Sequence, residues 1–176
     1  MSDEPISAIS FDTDRLSVGP RSMFSASAMA DLPTAVSEML NSSPDDWLPP
    51  GWAGDFDTDR ATRWISEIEA EAELLVAMDR DSSQVAGVLI LFIDLNANTP
   101  DRMVRIGYLI SPRLRGKGIA TELVRGLVNW CRDSGDRYSI TAGTHPGNIA
   151  SARVLEKCGF SETSSTGNET IYSIDL

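Results

Sequence analysis

Between residues 85 and 93 the chain reads Val-Ala-Gly-Val-Leu-Ile-Leu-Phe-Ile, without one polar side chain. A near-continuous apolar run of that length predicts a central strand covered on both faces. The apolar run 74–78 predicts its neighbour, joined through the polar turn 79–83, and residues 104–110 alternate as a third strand should. Upstream, the pattern predicts a short first strand over 15–18 and a helix over 32–40 with Asp31 as its cap. A second helix over 58–72 carries Ala61, Trp64, Ile65 and Ile68 on one face and Glu67, Glu69, Glu71 and Glu73 around the rest. Downstream, Ile119, Leu123, Val124, Leu127, Val128, Trp130 and Cys131 mark a long amphipathic helix. A strand over 138–142, a helix over 148–158 closed by Gly159, and a hairpin over 160–176 around Gly167 and Asn168 complete the pattern. Residues 1–12 read as a loose tail and 96–101 as a polar loop. The predicted order is β-αα-βββ-α-β-α-ββ.

Composition narrows the class without changing that picture. With 176 residues, 41% of them hydrophobic, the chain reads as one α/β domain over residues 1–176. No apolar run approaches the roughly 18 residues of a membrane span, and Met-Ser-Asp-Glu-Pro lacks the basic flank and apolar core of a signal peptide. The expectation is a cytoplasmic protein. A formal charge of −11 argues against nucleic acid or an acidic membrane as partner and is compatible with a cationic amine. Cys131 and Cys158 have neither CxxC nor metal-ligand spacing, so they read as packing thiols, and no metal site is expected.

The chemistry concentrates in Arg113-Leu-Arg-Gly-Lys-Gly-Ile-Ala120, between the third strand and the long helix. Gly116 and Gly118 allow positive φ and close approach of a ligand to the main chain. The helix start supplies free N–H groups and the positive end of the macrodipole, and Arg115 and Lys117 add charge. Such a turn suits a pyrophosphate. It is not a P-loop, because Lys117 is followed by Gly118 where that motif requires Ser or Thr.

The segments IGYLISPRLRGKGIATELVRGL and NIASARVLEKCGF resemble the two acetyl-CoA-binding motifs of the GNAT N-acetyltransferase superfamily. TDRLSV at residues 13–18 resembles the opening of its ribosomal-protein N-terminal acetyltransferase branch. The resemblance implies a GNAT fold: a single mixed, mostly antiparallel sheet of 6–7 strands with about four helices. It implies acetyl-CoA as cosubstrate and a primary amine as acceptor, whether a protein N-terminus or a small molecule, and it leaves a homodimer open. An alternative is a CoA-binding protein of the same fold that has lost catalysis.

The family signature, Gln or Arg followed by x-x-Gly-x-Gly/Ala, fits from Arg113 and from Arg115; Pro112 favours the second. The resemblance then assigns the pyrophosphate to Arg115, Gly116, Lys117, Gly118, Ile119 and Ala120, with the Thr121 hydroxyl added. It places the N–H that holds the thioester carbonyl at Leu109 or Ile110. Asn148 reads as an N-cap, or as a cap that also meets the pantetheine arm. The Tyr found seven residues after this Asn in many relatives is Leu155 here, and the resemblance moves the proton-donor role to Ser151, with Tyr172 in reserve. The Glu that often precedes Ile-Gly-Tyr is Arg105 here. That leaves His145, the only histidine, as the candidate base, or as an ordinary loop histidine; Glu67, Glu69 and Glu71 are the other carboxylates near the expected acceptor entrance. Trp47 and Trp52, in the Pro- and Gly-rich loop 41–57, read either as an acceptor lid or as pins that hold the loop to the core.

Overall fold

The computed structural model describes residues 9–94 and 101–176, so most of the expected loop 96–101 lies outside the described residues. Among the described residues eight strands form one sheet, in the order β1-β2-β3-β4-β5-β6-β8-β7. They are β1 (Phe11–Asp12), β2 (Leu16–Pro20), β3 (Glu73–Asp79), β4 (Val85–Asp94), β5 (Arg102–Ile110), β6 (Tyr138–Thr144), β7 (Ser161–Ser165) and β8 (Thr170–Asp175). Among the described residues only β5 and β6 run parallel, and the other pairings are antiparallel. Beside a one-turn helix α1 (Ala26–Met29), the helices are α2 (Leu32–Asn41), α3 (Thr58–Glu71), α4 (Ile119–Ser134) and α5 (Ile149–Lys157).

The apolar run of β4 lies at the centre and is buried from Val85 to Leu91. Its alternation sends Leu89 and Leu91 into a core shared with α4 and α5, and Val88 and Ile90 into a second core under α2 and α3. A two-faced sheet needs both, which is why this strand has no polar side. Helix α4 buries Ile119, Leu123, Val124, Leu127, Val128 and Cys131, whereas Trp130 stays at the margin, edge-on to Tyr138. Gly159, at φ +93°, follows α5 with Phe160 N–H returning to the Leu155 carbonyl, as a helix-terminating glycine does. Among the described residues no helix is long and apolar enough to cross a membrane.

Three details depart from the sequence pattern. The strand count is eight rather than six or seven, because Phe11 and Asp12, assigned above to the tail, pair with Val18 and Ser17. Phe11 packs so closely on α4 that a Cβ at Gly126 would come within 2.5 Å of its ring. Asp31 occupies the N-cap position of α2 without a capping bond, since its backbone is already in a turn, while Ser25 caps the unforeseen α1.

Candidate active-site cleft

The parallel pair β5–β6 opens into a fork. Its register ends at Ile106 opposite Ala142, while β5 continues four residues further alongside β4 alone. Along that stretch Ser111 N–H donates to the Ala86 carbonyl and the Leu109 carbonyl lies against Gly87, so these groups face β4. Alternation turns the main chain of Tyr108 and Ile110 the other way, and the Ile110 carbonyl is indeed taken by Arg115 Nε at 3.2 Å. Of Leu109 and Ile110, it is therefore Ile110 whose N–H faces the fork.

The fork opens into a cleft of about 1090 Å³ that reaches from the start of α4 to the loop before α3. At one end, Gly116 and Gly118 take φ +73° and +79°, and α4 begins at Ile119 with Gly118 as its N-cap. Among the described residues, the N–H groups of residues 116–121 donate to no backbone carbonyl; the first helical bond runs from Glu122 N–H to the Gly118 carbonyl. Six consecutive donors are thus free at the positive end of a 16-residue helix. Arg115, Gly116, Gly118, Ile119, Ala120 and Thr121 line the cleft, with Lys117 exposed on the outer side of the turn. The Arg115 side chain does not point toward a ligand. It donates to the Ser42 carbonyl at 2.9 Å and the Met39 carbonyl at 3.1 Å, so its charge closes the C-terminus of α2 and fastens the loop beyond it. Arg153 and Lys157, which the sequence reading passed over, line the cleft from α5.

In the middle, Asn148 Oδ1 caps α5 by accepting Ser151 N–H at 3.1 Å. The Ser151 hydroxyl lies 2.7 Å from the Tyr108 hydroxyl. Burial pushes the Tyr108 phenol up to about 12, with the Ser151 bond opposing. The pair is therefore a neutral O–H chain at every pH below about 10. Tyr172 is elsewhere: its ring is buried in the core with α4 and α5 and does not line the cleft. If this O–H chain passes a proton to a bound ligand, replacing Tyr108 with Phe should lower turnover about tenfold and leave ligand affinity nearly unchanged, which steady-state kinetics beside a binding titration would check.

At the other end lie Trp47, Trp52, Phe92, Arg105, His145 and Glu169. Trp52 stacks edge-on against Trp64 with ring centroids 5.1 Å apart, so it both lines the cleft and pins its loop. Trp47 remains 38% exposed. His145 Nδ1 accepts Gly147 N–H at 3.0 Å, which puts the proton of the neutral ring on Nε2 and leaves no free nitrogen lone pair. Glu69 pairs with Arg21 on the outside of α3, and none of Glu67, Glu69 and Glu71 lines the cleft. Among the described residues the carboxylates that do are Asp46 and Glu169; Glu169, one residue before β8, is paired with Arg105 across Gly143. A Cβ at Gly143 would crowd the ends of both Glu169 and Arg105, the latter at 2.8 Å, so a side chain there would push this pair aside.

A strand fork running into a helix start with six free N–H groups has the shape and the donors to suit a long ligand with an anionic middle. The chain matches the family description "Acetyltransferase (GNAT) domain" over residues 23–161 and belongs to that family, whose cosubstrate is acetyl-CoA. A curated relative, the probable N-acetyltransferase YjcK of Bacillus subtilis, is 46% identical over 55 residues; the match spans 31% of this chain and 30% of that protein. An acetyltransferase of the GNAT family from Bacillus anthracis superposes with a TM-score of 0.73 at 18% identity, covering 94% of this chain and 98% of that one. The ribosomal L7/L12 alpha-N-protein acetyltransferase RimL, solved with coenzyme A, superposes at 0.68 with 16% identity over 92% and 94% of the two chains. At such identities the solved structures establish the fold.

Proposed function

We propose that this protein transfers the acetyl group of acetyl-CoA to a primary amine by direct attack, the acceptor being a peptide N-terminal α-amine or a small-molecule amine. The observation that carries the reading is the set of six unpaired N–H groups at residues 116–121, opening on the same cleft as the β5–β6 fork and the Tyr108–Ser151 pair. The turn would hold the pyrophosphate, with Lys117, Arg153 and Lys157 as nearby cations. The pantetheine arm would run along the fork, and Ile110 N–H would take the thioester carbonyl and stabilise the oxyanion, where one such donor is worth about 3 to 4 kcal/mol. Ser151, backed by Tyr108, would return a proton to the departing thiolate.

Direct attack fits the thiol inventory. The chain has two cysteines, both buried and neither lining the cleft; burial pushes Cys131 up to about 12 and raises Cys158 as well, so no thiolate is poised to form an acyl-enzyme. Of the two cleft carboxylates, Asp46 and Glu169, we assign the proton of the amine to Glu169, which Arg105 holds in place. The energetics favour a weakly basic acceptor: deprotonation at pH 7 costs about 4.6 kcal/mol for a Lys amine and about 1.4 for an α-amine. The relative named as an alpha-N-protein acetyltransferase is consistent with that choice.

The test is thiol release from acetyl-CoA across a panel of peptide N-termini, Lys-containing blocked peptides and small amines. Faster turnover of α-amines is the expected result. A clear preference for Lys side chains would overturn the acceptor assignment, and tight cofactor binding with no thiol release on any amine would favour the non-catalytic alternative.

A further inference from the structure

We propose that Arg15, in the turn between β1 and β2, is a positioning residue for pyrophosphate recognition that acts through the Lys117 carbonyl. The proposal rests on reading residues 116–121 as the pyrophosphate site. Arg15 is 102 residues from Lys117 in sequence and does not line the cleft, yet its Nη1 donates to the Lys117 carbonyl at 2.9 Å. In a trans peptide the carbonyl of one residue and the N–H of the next point in opposite directions. A Lys117 carbonyl held toward Arg15 therefore turns Gly118 N–H away from Arg15, to the ligand side of the turn. The same guanidinium closes the back of the turn, 3.6 Å from where a Gly118 Cβ would stand.

Arg15 is itself held against the helix that follows. Its Nε and Nη2 both reach Glu122 Oε2 at 2.6 Å, while Glu122 Oε1 accepts Arg15 N–H at 2.8 Å and the Thr13 hydroxyl at 2.6 Å. Glu122 stands in the first turn of α4. The grip thus joins the β1–β2 turn, the Lys117 peptide plane and the helix start into one unit. Because Glu122 neutralises the guanidinium, what Arg15 contributes to an anion on the far side is orientation rather than charge. This gives Thr13 and Arg15 a task that their distance from the cleft conceals.

Two probes share a thioester arm and differ in the pyrophosphate: acetyl-CoA and S-acetylpantetheine. Dissociation constants would be measured for the wild type, Arg15→Met, Arg15→Lys and Glu122→Gln, by calorimetry for the first probe and chemical-shift titration for the second. Arg15→Met is expected to weaken acetyl-CoA about tenfold, the scale of one lost charged hydrogen bond, and to leave S-acetylpantetheine within about twofold. Arg15→Lys, with one point of contact in place of a fork, falls between. Equal weakening of both probes would assign Arg15 a merely structural role, and no weakening of either would remove the role altogether; each overturns the proposal. If Arg15→Met does not fold, Arg15→Lys and Glu122→Gln carry the comparison. A wild type that binds the two probes equally well would instead overturn the pyrophosphate site, and the proposal with it.

Discussion

A Gly118→Asp variant is expected to fold and to lose acetyl-CoA binding. Gly118 sits at φ +79° and caps α4, so any side chain there occupies a left-handed conformation that costs about 1 to 2 kcal/mol. Its Cβ would stand 3.6 Å from the Arg15 guanidinium at the back of the turn, so a carboxylate there would draw Arg15 off the Lys117 carbonyl and set a negative charge close behind the N–H groups meant for phosphate oxygens. In the wild type, acetyl-CoA at about 100 times Kd stabilises by roughly 2.7 kcal/mol, which in a domain of this size raises Tm by about 5 to 10 °C. The variant should melt a few degrees lower without ligand and show no rise with it. A full ligand-dependent rise in the variant would mean that the anionic middle of the cofactor lies elsewhere.

The second large effect is expected at Glu169. Glu169→Gln keeps the shape of the side chain and an oxygen for Arg105 but removes the carboxylate, so kcat should fall about a hundredfold or more if it accepts the proton of the amine. Acetyl-CoA affinity should hold, because the pyrophosphate end is built from other residues. His145→Gln is the contrast: with Nδ1 committed to Gly147 N–H, its loss should change kcat only a few-fold. Turnover of Glu169→Gln within threefold of wild type would exclude the carboxylate as base, and a hundredfold loss in His145→Gln would restore the histidine.

Local patterns were the legible ones. The glycines of residues 116–118 lie against a long amphipathic helix, so turn, helix start and free donors are written in adjacent residues, and the apolar run of β4 announces its central place in the same way. Long-range pairings were not. Arg105 and Glu169 are 64 residues apart, and only the register of β5, β6 and β8 brings them to one side of Gly143. The one available sign was negative: an arginine stood where relatives often carry a carboxylate, and a cation beside a cleft wants a partner. The tautomer of His145 depended on a loop N–H that no spacing reveals. Tyr172 was misleading for a simpler reason, since alternation along β8 sends it to the core. Arg115 showed its charge in the sequence but not that α2 would consume it.

The burial of both cysteines reaches as far as the bench. Cys131 and Cys158 are closed off in the core, Cys158 with its Sγ 3.5 Å from the Thr121 carbonyl. A chromogenic disulfide reagent that reports released CoA should leave the folded protein untouched, so a continuous colour assay would count turnover alone. The same reagent, run against the protein without substrate while the temperature is raised, would show two thiols per chain only as the core opens.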